Sequence, residues 1–396
     1  MNGWQRKDGR KGIRNIIAVA YLVECAHHVS RQIAAGFPDR DVHVIGFPGC
    51  YPNAYAERMM IELCTHPNVG AVLLVSLGCE SFNRRGLAQA IAESGRPVET
   101  LVIQRTGGTA RTIAEGRQWL AETWPLLDAE APVPMAPDEL IIGTICGGSD
   151  GTSGLTANPA MGRAFDLLID DGAACIFEEA GELIGCESLM ADRSARPELA
   201  AEILAVMDKT VRYYATLGYA SISPGNAEGG LTTIEEKSMG AYAKSGASEI
   251  VGLLKPGDRP TTGGLYFLDV VPDGDVRFGF PNISDNAEIA ELIACGAHLV
   301  LFSTGRGSVV GSAIAPVIKV CANPETYRNL ADDMDVDSGR ILEGRGDLDQ
   351  VGREIRDLVL AIGDGAETRS EALGHREFIL TYKSFEPIGP SCLPAA

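Results

Sequence analysis

Apolar runs of four to eight residues recur along the first third of the chain, separated by stretches in which apolar residues return every three or four positions. The runs Ile16–Val23, Val42–Phe47, Ala71–Ser76, Val98–Gln104 and Leu140–Thr144 are rich in Val, Ile and Leu without polar alternation. That is the pattern of strands covered on both faces, as in a parallel sheet. The intervening patterns, at about 27–35, 54–65, 84–94 and 109–127, predict helices. Strands alternating with helices imply right-handed βαβ crossovers. Between Pro125 and Pro137 four prolines read as a linker, which divides the chain into a Rossmann-like domain over 1–135 and a larger α/β domain over 136–396.

The second part continues the rhythm less regularly. A glycine-rich stretch, CGGSDGTSG, follows the strand at Leu140–Thr144, and a helix is expected near 158–171. A strand at Ala174–Phe177 and helices at about 181–190 and 197–217 come next, then a turn-rich segment from Ile222 to Gly240 that becomes helical. Further strands are expected at His298–Ser303 and Val317–Val320, and helical periodicity returns over 351–372.

Length and charge narrow the function. A chain of 396 residues exceeds one ordinary core. With 53 acidic against 34 basic residues its net charge is −19, which repels nucleic-acid backbones and anionic membrane surfaces. No apolar run approaches a membrane span, and no signal peptide is visible, so a cytoplasmic protein is expected.

The cysteines are placed more tellingly than their number, ten, suggests. Cys25, Cys50, Cys79 and Cys146 each follow a predicted strand, and in open α/β sheets ligands bind outside the carboxyl ends of the strands. Thiolates there would suit iron, zinc or an iron–sulfur cluster, or the thiols pack beneath the loops. Cys64, Cys175, Cys186, Cys295, Cys321 and Cys392 read as structural. Three glycine-rich turns, CGGSDGTSG, QRTGGT and STGRG, could cradle a carboxylate with backbone amides; none matches a nucleotide fingerprint. Arg306 in the last is either a bidentate carboxylate contact or a surface turn residue. IFEEAGELIGCE supplies Glu178, Glu179, Glu182 and Glu187 around a strand end, and LTTIEEKSMG supplies Glu235, Glu236 and Lys237 for proton transfer or for a solvated helix face. Asp150 either ligates a metal or caps a helix.

The segments GWQRKDGRKGIRN, HPNVGAVLLVSLGCE, CGGSDGTSGLTANPAMGRAFD, SPGNAEGGLTTIEEKSMG and STGRGSVVGSAIAPVIKVCAN resemble the altronate and galactarate dehydratase family, which includes the sulfolactate sulfo-lyase large subunit, from about residue 3 to about residue 380. The resemblance implies a cytoplasmic lyase that removes water from a sugar acid or other 2-hydroxy carboxylate, or sulfite from a sulfonated one. A non-catalytic sugar-acid-binding or subunit-stabilising paralogue is the other reading. It also implies ferrous iron, with an iron–sulfur cluster or Mn²⁺ as alternatives, an oligomer, and a separate small SAF-type subunit as partner. Carried onto this chain, it places Cys50, Cys79, Cys146, Glu80 and Cys25 near the metal. Lys237, Glu236 and Asp150 become the catalytic groups, and Arg105, Arg306, Ser149, Asn158, Asn226 and Lys319 substrate contacts. The chain departs from the family pattern in three loops: GFPGCYPN replaces a histidine-containing loop, Arg105 replaces an acid in QRTGGT, and Ile145 precedes CGGSD.

Overall fold

The computed structural model describes residues 1–217, 222–273, 284–380 and 382–383. Cys392 lies outside the described residues. The chain divides into two compact units. Among described residues the smaller comprises 4–132, 378–380 and 382–383, and the larger 1–3, 133–273 and 284–377.

In the smaller unit four parallel strands, β1 (Ile16–Tyr21), β2 (Val42–Gly46), β3 (Val69–Ser76) and β4 (Val98–Val102), lie in the order β2-β1-β3-β4. Every residue of β1 and β3 is buried, as their unbroken apolar runs require. Helices α1 (Glu24–Ala34), α2 (Ala54–Cys64), α3 (Arg84–Glu93) and α4 (Thr109–Asp128) connect and follow the strands. The proline-marked boundary is displaced at one point: Pro125 sits inside α4, whose neighbouring Trp124 and Leu127 are buried in the sheet-facing core. Burial of those two side chains carries the helix one turn past the proline.

The larger unit contains a seven-stranded sheet of β5 (Ile141–Cys146), β6 (Ala174–Phe177), β7 (Ile250–Leu254), β8 (Gly264–Leu268), β9 (Leu299–Thr304), β10 (Val317–Cys321) and β11 (Val336–Asp337). All pair in parallel, in the order β7-β8-β6-β5-β9-β10-β11. The principal helices are α5 (Ala157–Asp170), α6 (Pro197–Leu217), α7 (Ile234–Ala243), α8 (Asp285–Ala294) and α9 (Leu348–Gly363). Two strands, β7 and β8, and helix α8 carry no clear period in the sequence, because glycines and prolines break the flanking runs. The helix expected at 181–190 is a short 3₁₀ turn, Ala180–Leu183, followed by a separate helix at Glu187–Asp192.

Strand order reverses beside β5: the chain moves from β5 to β6 on one side and later returns to β9 on the other. Ser303 near the end of β9 pairs in register with Cys146 at the end of β5. This is the topological switch point at which open α/β sheets place their ligands. Among the described residues no helix is long and apolar enough to cross a membrane.

Candidate active site at the switch point

Cys146 ends β5 with its side chain buried. The chain turns there through Gly147 and Gly148, and a Cβ at Gly147 would lie 2.1 Å from Asp285 Oδ2 and 2.5 Å from Phe302 Cζ, so a side chain there would force those neighbours to move. Asp285 opens α8 and so packs directly on the turn that follows Cys146. From the end of β6 the next residues fold over the same point. Glu179 has φ 69° and ψ 45°, and it is the sole non-glycine with positive φ among the described residues. Such a backbone costs about 1–3 kcal/mol and persists where the surroundings impose it. The conformation directs Glu179 inward: its carboxylate accepts the Cys146 amide at 3.2 Å, and Cys146 Sγ lies 3.1 Å from Glu179 Oε1. Glu182, three residues on in the 3₁₀ turn, brings Oε2 to 3.1 Å from the same sulfur.

Among the described residues Cys146, Glu179 and Glu182 form the one group of three or more His, Cys, Asp or Glu side chains whose ligand atoms all lie within 4.8 Å of one another. Two lysines from one helix neutralise it. Lys237 and Lys244 are seven residues apart, two turns of α7 and its cap, and therefore share a face. Lys237 Nζ is 2.7 Å from Glu182 Oε1, and Lys244 forms a buried ion pair with Glu179. Lys237 also donates to Asn226 Oδ1 at 3.2 Å, while Asn226 Nδ2 donates to the Ser149 carbonyl at 2.9 Å. Ser149 Oγ donates toward Cys146 Sγ at 3.3 Å.

Burial pushes the Cys146 thiol up to about 11, helped by the Glu182 charge and opposed by both lysines and Ser149. Burial raises Asp285 to about 6, and Glu182 adds to this against Lys237 and Lys244. For Lys237 burial works against the charge, but Glu182 and Cys146 outweigh it and hold the ammonium above its ordinary value. A thiol and two carboxylates are a mixed soft and hard donor set that fits a divalent transition ion such as Fe²⁺ or Zn²⁺. An ion there would reverse the electrostatics that keep the thiol protonated. The adjoining pocket, lined by Cys146, Ser149, Glu182, Glu236 and Lys237, encloses about 10 Å³, room for one water or an ion.

Of the other expected residues, Asp150 and Asn158 also line this pocket, Asp150 in the loop after β5 and Asn158 in the first turn of α5, and both are held by hydrogen bonds; Arg306 lies outside the lining. Asp150 accepts from Thr152 (N–H 2.9 Å, O–H 2.6 Å) and from Asn323 Nδ2 at 3.0 Å. Asn158 accepts from Ser303 Oγ at 2.7 Å and donates to the Gly240 carbonyl at 2.9 Å. Arg306, exposed, donates to the Gly225 carbonyl and pairs with Glu228 at 3.2 Å. Glu236 lines the pocket, yet its carboxylate accepts from Thr232 N–H at 2.8 Å and Thr232 O–H at 2.9 Å, and from the N-cap Thr233 N–H at 3.3 Å, which closes a capping box on α7. These backbone and hydroxyl bonds keep its carboxyl below the usual range. Lys319, fully buried on β10, donates to the Val310 carbonyl at 3.3 Å and stands 3.4 Å from His375 Nδ1.

In the smaller unit Cys25, Cys50 and Cys79 are exposed, Cys25 in the first turn of α1 and the others in loops after β2 and β3. Ser81 donates N–H and O–H to the Cys50 carbonyl at 2.9 and 3.0 Å, which draws those two loops together. Glu80 accepts from Ser76 Oγ and from the Gly78 N–H at 2.8 Å, and Arg105 is exposed. Lys244 and Asp285 escape a sequence reading. The seven-residue spacing from Lys237 is the signal for Lys244; Asp285 has none.

Sequence profiles of two families match this chain: "D-galactarate/Altronate dehydratase, C-terminal" over residues 137–385, and "D-galactarate dehydratase/Altronate hydrolase, second domain" over residues 3–127. Among curated proteins, the (2R)-sulfolactate sulfo-lyase subunit beta of Chromohalobacter salexigens is 33% identical over 393 residues, covering 96% of each chain. The altronate dehydratase of Escherichia coli is 30% identical over 395 residues, 95% of this chain and 76% of that protein. The galactarate dehydratase (L-threo-forming) of Escherichia coli is 30% identical over 390 residues, 92% and 72% of the two. With both profiles matched in order and whole-chain identity of this extent, the chain belongs to the D-galactarate/altronate dehydratase family, a family of lyases.

Proposed function

We propose that this chain is a metal-dependent hydro-lyase that converts a sugar acid or other substituted 2-hydroxy carboxylate into a 2-oxo-3-deoxy acid. The observation that carries the reading is the buried Cys146, Glu179 and Glu182 group at the switch point, faced by two lysines. In the reaction the C2–H bond breaks and its electron pair forms the C2=C3 bond as the C3–O bond breaks. The hydroxide leaves as water, and the enol moves its proton to C3 to give the 2-oxo acid. Cys146, Glu179 and Glu182 would hold a divalent ion, Fe²⁺ by the family resemblance, which when bound would supply a Lewis acid for the negative charge that develops on the substrate.

The remaining work falls to the chain. Asp285, packed on the turn after Cys146, receives the α-proton. Lys237 holds a proton at Nζ between Glu182 and Asn226, and delivers it to the departing hydroxyl. Asn226 fixes that ammonium by bridging it to the Ser149 carbonyl, and Glu236 fixes the start of the helix that carries it. Lys244 holds Glu179 in its left-handed conformation.

A second reading keeps the same first half and expels sulfite by C3–S cleavage. It is favoured by the match to the sulfolactate sulfo-lyase β subunit over 96% of both chains. That relative's designation as a subunit supports assembly with a second, separate subunit, in keeping with the small SAF-type partner that the family resemblance implies.

Protein purified anaerobically and loaded with Fe²⁺ is assayed for 2-oxo acid with altronate, galactarate and (2R)-sulfolactate, sulfite being measured in parallel. Turnover of a sugar acid without sulfite, abolished by a chelator and by Cys146→Ser, is expected. Full activity in chelated, metal-free protein would refute the metal, and sulfite release alone would select the second reading.

A further inference from the structure

The loop after β5 runs Cys146, Gly147, Gly148, Ser149 and folds back so that the hydroxyl of its last residue meets the sulfur of its first, Ser149 Oγ donating to Cys146 Sγ at 3.3 Å. Among the described residues this is the one donor to the sulfur. The other two groups within hydrogen-bond reach of it, Glu179 and Glu182, are carboxylates and accept. Acceptors suit a thiol, which has a proton to give. A donor suits a thiolate, the form in which cysteine binds a metal. The Ser149 hydroxyl therefore serves the sulfur once the two carboxylates act as ligands instead of acceptors.

The aim of that hydroxyl is fixed from several sides. Gly148 has φ 64°, the left-handed conformation that turns the chain between the two side chains. Its carbonyl accepts Gly305 N–H at 3.2 Å and Arg306 N–H at 2.8 Å, both from the STGRG turn that ends β9. A Cβ at Gly305 would lie 2.1 Å from Asp150 Oδ1, so this close approach of the two loops depends on glycine. The Ser149 carbonyl accepts Asn226 Nδ2 at 2.9 Å, and Asn226 Oδ1 accepts Lys237 Nζ at 3.2 Å. Lys237 pairs with Glu182, and Glu182 meets the sulfur, which closes a ring of contacts from Cys146 through Ser149, Asn226, Lys237 and Glu182 back to Cys146. Ser149 is buried, and its hydroxyl gives its proton to no other described group.

We propose that Ser149 is a positioning residue for the metal: its hydroxyl donates to the Cys146 thiolate, holds the sulfur toward the ion and draws electron density off it. The bound ion then keeps more of its Lewis acidity, as hydrogen bonds to coordinated sulfur tune other thiolate and iron–sulfur centres. The proposal rests on the metal reading above, and it gives Ser149 a partner on the protein in place of one on the substrate. It also gives the STGRG turn a task, since two amides of that turn set the loop that carries the hydroxyl.

Co²⁺ is the probe, because its bond to a thiolate carries a charge-transfer absorption in the near ultraviolet that oxygen and nitrogen ligands do not give. The full chain, freed of metal by a chelator and kept anaerobic, is titrated with Co²⁺ to saturation. In Ser149→Ala the band is expected to move to longer wavelength, because a thiolate without its hydrogen bond gives up an electron more readily, and Co²⁺ affinity is expected to fall at least about tenfold. Ser153→Ala is the control. Ser153 is a buried serine of the same pocket whose hydroxyl bonds Asp150 at 3.4 Å, and its loss should leave the band in place. A band that stays in place in Ser149→Ala, whatever the affinity, or that moves as far in Ser153→Ala, overturns the proposal and leaves the metal reading standing. A parent chain that shows no thiolate band with Co²⁺ overturns the metal reading and this proposal with it.

Discussion

Replacing Lys244 by methionine removes the cation from a pair in which the two side chains are only 3% and 4% exposed, and leaves Glu179 charged and buried. Breaking a buried pair from one side costs about 3–5 kcal/mol, because the remaining charge has lost both water and partner. For a domain of 150–250 residues this lowers the melting temperature by about 6–20 °C. Adding Glu179→Gln to the same variant discharges the orphan. The double variant should therefore recover at least about 2 kcal/mol of the loss, since a neutral pair of similar volume needs no compensation. Glutamine keeps an oxygen for the Cys146 amide, and it inherits the positive φ of residue 179 unchanged, so the cycle isolates the charge. The measurement is urea unfolding in the presence of a chelator, because a bound cation would itself neutralise Glu179. Far-UV circular dichroism is the appropriate probe: all three tryptophans, Trp4, Trp119 and Trp124, lie in the smaller unit and do not follow this site. A Lys244→Met protein within about 1 kcal/mol of the parent, or a double variant no more stable than the single, would refute the reasoning.

Three further outcomes follow from the same structure. Glu182→Gln should lower Fe²⁺ occupancy, read by elemental analysis after gel filtration, while Glu80→Gln in the smaller unit leaves it unchanged; equal losses in both would move the metal away from Cys146. Gly162→Ala would place a Cβ 2.1 Å from the Ala243 carbonyl oxygen and 2.8 Å from Gly246 N, so α5 must shift, at a cost of roughly 1–3 kcal/mol seen in the urea midpoint. The Asp273 carboxyl is held below its ordinary value, chiefly by its hydrogen bond from Lys255 against a smaller effect of burial, with Lys209 assisting. A depressed carboxyl adds stability that is fully present above about pH 4 and fades as the pH falls through its lowered value. Asp273→Asn should accordingly be slightly less stable than the parent at pH 7, with a gap that narrows as the pH falls below about 4; a gap that does not narrow in acid would remove the ion pair as the cause.

The sequence by itself determined the layered α/β plan, because strands covered on both faces must be written as continuous apolar runs. Ile16–Tyr21 and Val69–Ser76 are legible for that reason alone. It also determined that Cys146 would stand at a carboxyl end, since the run from Leu140 stops there. Short strands beside glycine, such as Gly264–Leu268, were not legible, because five apolar residues between turn signals fit several structures. Tertiary structure alone decided which acids meet the thiol. IFEEAGELIGCE offers four glutamates, and only the left-handed backbone at Glu179 and the 3₁₀ turn after it select Glu179 and Glu182. Lys244 and Asp285 join them from helices that are about 65 and over 100 residues further along the chain, a convergence set by the reversal of strand order beside β5. Local patterns fix what a segment becomes; which charges share a desolvated point depends on the packing of segments distant in sequence, and no local pattern encodes it.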